Sequence, residues 1–265
     1  MPAALRLVLS GVDYREVGPQ HLHAAMCALL DAPNGTTDPG AAKHTATRKP
    51  WSVGPVHGDG RHAFVTVGAL SESVAAALHR RAGLGAKIVL NRQEGVVVDD
   101  PQLVTETPWA ELATPTSADT WDIEFRSPTS LASGSRYTPF LDPAALVGGL
   151  SRRWEAAADL RPAPGGRELW LPRMTREELA ELWVSDIEGR TEVVRIPHRA
   201  SNRGRPKVVP GFVGTIRLRA AHPAVAAVTD CLLRFAEYAG VGACVTHGLG
   251  AVKVTPVSPG RRPGR

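Results

Sequence analysis

Cysteine, aromatic residues and long apolar runs are all scarce in this 265-residue chain. The three cysteines, Cys27, Cys231 and Cys244, are too few and too scattered for a disulfide framework or a zinc site. Each falls within or beside an apolar pattern and is expected as a buried free thiol, which suits the reducing cytoplasm. Aromatic residues make up only 5% of the chain, so stacking on exposed rings is not the expected main mode of binding. No apolar run approaches the ~18 residues that would suggest a membrane span. The N-terminus lacks the basic region, apolar run and cleavage site of a secretory signal, so neither export nor membrane attachment is expected. Acidic residues are missing altogether between Glu192 and Asp230.

What is present is ordinary for a globular protein. Hydrophobic residues are 43% of the chain and charged residues 22%, enough for one large or two modest domains. Lys plus Arg number 31 against 26 for Asp plus Glu, a net charge of +5 that permits a polyanionic partner. The acid-free span carries Arg195, Arg199, Arg203, Arg205, Lys207, Arg217 and Arg219. Five of these lie between Arg195 and Lys207, among Ser201, Asn202 and Gly204, a composition that predicts an irregular basic loop between two strands. A one-signed field repels itself unless a polyanion or an acidic neighbour offsets it, so nucleic-acid contact is favoured over a merely solvated loop.

Hydrophobic spacing gives the order of elements. Residues 5–12 alternate as a strand, and Gly18-Pro19 opens a helix with the stripe Leu22, Met26, Leu29 and Leu30. Residues 51–56 and 63–70 read as a hairpin, and Ser71 caps a helix with the stripe Val74, Ala77 and Leu78. Residues 87–90 and 96–98 read as one bent final strand. The order β-α-β-β-α-β is the ferredoxin-like arrangement. Residues 107–119, rich in Pro, Thr and Ala, read as a linker. The plan then repeats: a strand at 121–125, a helix from Asp142-Pro143 with Leu146, Leu150 and Trp154, strands at 183–196 and 211–219, a helix from His222-Pro223 with Val225, Val228, Leu232 and Phe235, and a last strand near 252–257. The expected fold class is α+β, two tandem ferredoxin-like (RRM-like) domains over 1–106 and 120–258, with a basic tail at 259–265.

Two loops stand out. Between the last helix and last strand, Gly240, Gly242, Gly248 and Gly250 form a Gly-x-Gly, five-residue, Gly-x-Gly pattern around His247. Glycines there serve either a tight helix-to-strand turn or a cradle of bare amides for an anion such as phosphate. No Gly-Lys-Ser/Thr ends the pattern, so it is not a nucleotide-binding P-loop. In the first half, His44 lies in a polar loop with Lys43, Arg48 and Lys49. An imidazole titrating near neutral pH, set among cations, suits proton transfer at a phosphate as well as simple solvation. His21 and His23, two apart on a helix, face different ways and make no ligand pair. These two, with His57, His62, His79 and His222, are expected to be structural or exposed.

Taken together, these pieces resemble the Cas-six family of CRISPR-repeat-processing endoribonucleases, of the RAMP superfamily. The resemblance covers nearly the whole chain. It rests on the helix LHAAMCALLD, the loop KHTATRKPWSVGPV, then IEFRSPTSL, PAALVGGLSRRW, RASNRGRP, GFVGTIRL and YAGVGACVTHGLGAVKV. It implies metal-independent cleavage of CRISPR precursor RNA within each repeat, with no cofactor. The ribose 2′-hydroxyl attacks the adjacent phosphorus and leaves a 2′,3′-cyclic phosphate and a 5′-hydroxyl. By the resemblance His44 is the general base or acid, Lys49 stabilises the phosphorane, and Tyr14 is the candidate for the family's additional tyrosine. The RNA-binding set is Lys43, Arg48, Arg195, His198, Arg199, Arg203, Arg205, Lys207, Gly240, Gly242, His247, Gly248 and Gly250. Expected partners are the precursor and mature guide RNA, and other subunits of a CRISPR effector complex. The alternative is a non-catalytic RAMP subunit that binds the repeat and delivers it uncut. A generic RNA-recognition domain fits less well, because such sheets read bases with aromatics.

Overall fold

The computed structural model describes residues 1–31, 49–134, 136–160, 169–197 and 206–257. The first half comprises β1 (Ala3–Ser10), α1 (Pro19–Leu30), β2 (Trp51–Val53), β3 (His57–Gly58), β4 (Ala63–Ala69), α2 (Glu72–Arg81), β5 (Lys87–Leu90), β6 (Gln93–Val97) and β7 (Gln102–Glu106). The second comprises α3 (Trp109–Leu112), β8 (Thr120–Thr129), β9 (Leu131–Ser133), β10 (Arg136–Thr138), α4 (Pro143–Ala156), α5 (Arg176–Ala180), β11 (Leu182–Ile196), β12 (Lys207–Ala220), α6 (Pro223–Ala239) and β13 (Val252–Pro256). Among the described residues no helix is long and apolar enough to cross a membrane.

The sheets show the duplication. The first runs β2-β4-β1-β6-β5, with β3 on β4 and β7 on β1; the second runs β11-β12-β8-β13. Each places its first strand between its third and fourth, with the second at one edge. Both are therefore ferredoxin-like sheets, and all their pairings are antiparallel. The helices start where the caps predict. Ser71 Oγ accepts from the Val74 amide, Asp142 from the Ala145 amide, and His222 Nδ1 from the Ala224 amide. The apolar stripes of α1, α2, α4 and α6 are buried as their spacing requires.

One local expectation is overturned. The single bent strand expected over 87–98 is a hairpin, β5 against β6. Asn91 takes a φ of 62° and turns the chain, a conformation asparagine tolerates better than most residues. The stretch 107–119, read as a linker, carries a short helix that packs against the second half. Its α3 buries Trp109 and Leu112, with the Trp109 ring 5.3 Å from Trp154 and 5.7 Å from Phe235. Fully buried Asp230 then accepts from the Thr116 amide at 2.9 Å and from Trp121 Nε1 at 3.0 Å, and Arg234 completes its pairing at 3.2 Å. A buried carboxylate needs such partners, and here they stitch the segment to α6.

Helix α6 also joins the halves. Its Tyr238 carbonyl accepts from Ser52 Oγ of β2 at 2.6 Å, and the Tyr238 hydroxyl meets Thr107 Oγ1 at 2.6 Å. Gly68 of β4 packs directly under the Tyr238 carbonyl, where any Cβ would collide. Close approach, not backbone freedom, explains that glycine.

Candidate active site

A cleft of about 530 Å³ opens where the halves meet. Helix α1 supplies His23, the residue before Pro50 supplies Lys49, α4 supplies Arg152 and Arg153, β9 supplies Leu131 and Ala132, and the loop between α6 and β13 supplies Gly242, Cys244, Thr246 and His247. That loop is the glycine pattern, and all four glycines take positive φ: 72° at Gly240, 76° at Gly242, 84° at Gly248 and 74° at Gly250. A Cβ on Gly250 would strike the Val241 carbonyl, and one on Gly242 would strike the Ser130 carbonyl. Several amides are already engaged: Val241 donates to Gly250 O at 2.8 Å and Ala243 to Ser130 O at 2.8 Å. The loop is thus a tightly packed turn first. The amides of Gly242 and Cys244 make no hydrogen bond among the described residues, and both residues line the cleft.

His23 and His247 meet here, 224 positions apart, their rings stacked with centroids at 3.9 Å and planes 7° apart. His23 Nδ1 lies 3.1 Å from the Thr246 carbonyl, which can only accept, so this nitrogen carries the proton. The Cys27 sulfur lies 3.6 Å from His23 Nε2. Burial, assisted by the neighbouring His23 and Lys207, pushes the His247 pKa down to about 3. His247 is therefore neutral at pH 7 and can offer a hydrogen bond, but it cannot shuttle protons there. Burial and nearby Asp31 push the Cys27 thiol up to about 12, so it is inert.

Lys49 is buried, its Nζ 2.8 Å from the equally buried Asp31 carboxylate. The pair fixes the two described residues that bracket 32–48, Asp31 at the end of α1 and Lys49 just before β2. The main-chain carbonyl of Asp31 also accepts from Arg81 at 3.1 Å. Lys49, expected as a phosphorane stabiliser, lines the cleft and is paired with Asp31, so it also pins the start of β2 to the end of α1. Lys43, His44 and Arg48 lie outside the described residues, as do His198, Arg199, Arg203 and Arg205.

Tyr14 starts a short 3-10 turn before α1, packs beside Gly58 and is not among the described residues that line the cleft. It stands at the N-terminal end of α1 and the Asp31–Lys49 pair at the C-terminal end, separated by a 12-residue helix of about 18 Å. Lys207 is half-buried, 4.4 Å over the Tyr137 ring and 3.1 Å from the Cys244 sulfur, so it ties the glycine loop to β12 while keeping its positive charge. Arg217 is neutralised by Asp122 through two bonds of 2.7 and 2.9 Å. Arg195 is exposed, as expected of a backbone contact. His23 was missed because a histidine on a helix carries no local sign of a partner in a distant loop.

The duplicated ferredoxin-like fold, whose glycine-rich loop here closes a cationic cleft, is shared with a solved RAMP protein, at 10% identity and a TM-score of 0.56. Residues 123–252 match the family model described as CRISPR-associated endoribonuclease Cas6. A Cas6 product complex is similar over 96% of this chain and 99% of that one, at 25% identity and a TM-score of 0.71. The Thermus thermophilus Cas6 product complex is similar in fold over 96% and 100%, at 24% identity and a TM-score of 0.69. A Cas6-related protein from Pyrococcus furiosus shares the fold at 10% identity and a TM-score of 0.55, over 96% and 99%. No curated protein sequence matches. Residues 123–252 thus match the Cas6 family of CRISPR-associated endoribonucleases, and over 96% of its length the chain is similar in fold to a Cas6 structure.

Proposed function

We propose that this chain cuts CRISPR precursor RNA within its repeats without a metal ion, and that His44 moves the proton. The ribose 2′-oxygen bonds to the adjacent phosphorus, the bond to the 5′-oxygen breaks, and a 2′,3′-cyclic phosphate and a 5′-hydroxyl result. His44 takes the 2′-hydroxyl proton, or gives one to the departing 5′-oxygen. The observation that carries this is the buried Asp31–Lys49 pair, because Lys49 lines the cleft and His44 is five residues from it. Arg152 and Arg153 line the same cleft and can hold the phosphates. His247, neutral and stacked, can donate one hydrogen bond to a phosphate oxygen. The exposed Arg195, with Arg199, Arg203 and Arg205, grips the repeat backbone. An internal nucleophile needs positioning and proton transfer above all; Arg152 and Arg153 would serve the first and His44 the second.

The test is cleavage of the host's own repeat RNA in EDTA, with end-group analysis. We expect cyclic phosphate and 5′-hydroxyl ends, no cleavage when the 2′-hydroxyl at the cut is absent, and a loss of about 10²–10⁴-fold in His44→Ala with binding kept. Full activity of that variant would reassign the base, and cleavage that needs added magnesium would overturn the metal-free mechanism. The second reading, a subunit that binds the repeat without cutting, draws on Lys49 being paired with Asp31 and His247 being neutral. Tight binding with no product under any condition would select it.

A further inference from the structure

We propose that Phe140 is a stacking platform for one unpaired base of the RNA, set at the rim of the cleft. This rests on the reading of the chain as a repeat-binding nuclease. Phe140 is 73% exposed, more than any other large apolar side chain among the described residues. The other described phenylalanines of the same half, Phe125, Phe212 and Phe235, are buried; the exposed rings of Trp170 and Trp183 do not line the cleft. It lies on the short link between β10, the partner of cleft-lining β9, and α4, whose Ala145 and Leu146 line the cleft.

The link is held rigid on both sides of the ring. The Phe140 amide donates to Thr138 Oγ1 at 3.1 Å, and Ser130 Oγ donates to the Thr138 carbonyl at 3.2 Å. The next residue, Leu141, is buried, and Asp142 caps α4. A phenyl ring fixed in water gains nothing from the fold and offers a flat apolar face. Nearby cations, exposed Arg136 on β10 and Arg152 in the cleft, would hold phosphates on either side of a base laid on that face. This is the combination by which single strands are bound, a charged track with an aromatic face for each stacked base, and every base has such a face.

The experiment measures binding of the cognate repeat RNA by fluorescence anisotropy at several salt concentrations. Phe140→Ala is expected to weaken binding by about 5- to 150-fold, the range for losing one stacked base. The dependence of log K on log salt should keep its slope, since no phosphate contact is removed. Phe140→Trp should bind as the native chain does, and Phe140→Leu should bind as poorly as the alanine variant. An abasic site at the contacted nucleotide should weaken native binding and leave Phe140→Ala unchanged. If native protein binds and Phe140→Ala or Phe140→Leu binds within twofold of it, stacking at Phe140 is wrong while the nuclease reading survives. If native protein does not bind the repeat, both fall together. The ring is exposed, so the variants should melt with the native chain, and a shifted melting temperature would also count against the platform.

Discussion

At the scale of single residues, the buried Asp31–Lys49 pair makes the firmest prediction. Their side chains are only 3% and 6% exposed. Breaking such a pair strands a charge away from water and typically costs about 3–5 kcal/mol. Asp31→Asn and Lys49→Met should each destabilise the fold on that scale, and the double variant should recover part of the loss. Urea unfolding of the four proteins measures the coupling; additive losses would show that the pair does not act as a pair. His247 gives a second prediction. Burial keeps it neutral down to about pH 3, whereas an unfolded imidazole takes its proton near 6.5. Between those values the unfolded chain binds the extra proton, so stability falls as pH falls, by up to about 1.4 kcal/mol per unit, and nothing is lost above pH 6.5. From pH 7 to 5 the native chain should lose about 2 kcal/mol more than His247→Gln does. Equal losses in the two proteins would mean that His247 protonates freely in the fold.

At the scale of elements, the loop from α6 to β13 decides the shape of the cleft. Gly250 combines a φ of 74° with a backbone carbonyl where a Cβ would stand, while Gly60 has a φ of 91° and open space. Gly60→Ala should therefore cost only the backbone term, about 1–2 kcal/mol. Gly250→Ala should cost more and should remove cleavage, because the Val241 carbonyl has to move. A cleavage rate within twofold of native in Gly250→Ala would mean that the loop's shape does not matter to the chemistry. Such elements were legible in the sequence to the extent that their signals are local. Ser71, Asp142 and His222-Pro223 mark helix starts within one turn of the chain, and the stripes of α1, α2, α4 and α6 follow from spacing alone. The hairpin at Asn91 was not, because Asn-Arg is a weak turn signal. The burial of α3 was not, because its partners Trp154 and Phe235 are far along the chain. Of the site, the glycine loop was legible from composition. The His23–His247 stack, the half-burial of Lys207 and the pairing of Lys49 with Asp31 depend on residues that only the fold brings together.

At the scale of the whole molecule, the two ferredoxin-like halves are tied by α6. Ala4 and Leu70 of the first half belong to the second half's apolar core, and Ser52, Thr107 and Tyr238 bond across the junction. The cleft draws walls from both halves, α1 and Lys49 from one, α4 and the glycine loop from the other, so its geometry exists only while they stay docked. We propose that the halves unfold as one unit. Calorimetry of the native chain should show a single transition with matching calorimetric and van't Hoff enthalpies. Gly68→Ala should break that unity, because a methyl group there strikes the Tyr238 carbonyl and lifts the end of α6 from β4. We expect its melting to separate into two transitions and its cleavage to fall even though no group in the cleft has changed. A variant that melts once, at the native temperature, and cuts at the native rate would show that the junction tolerates separation and that the cleft is set by one half alone.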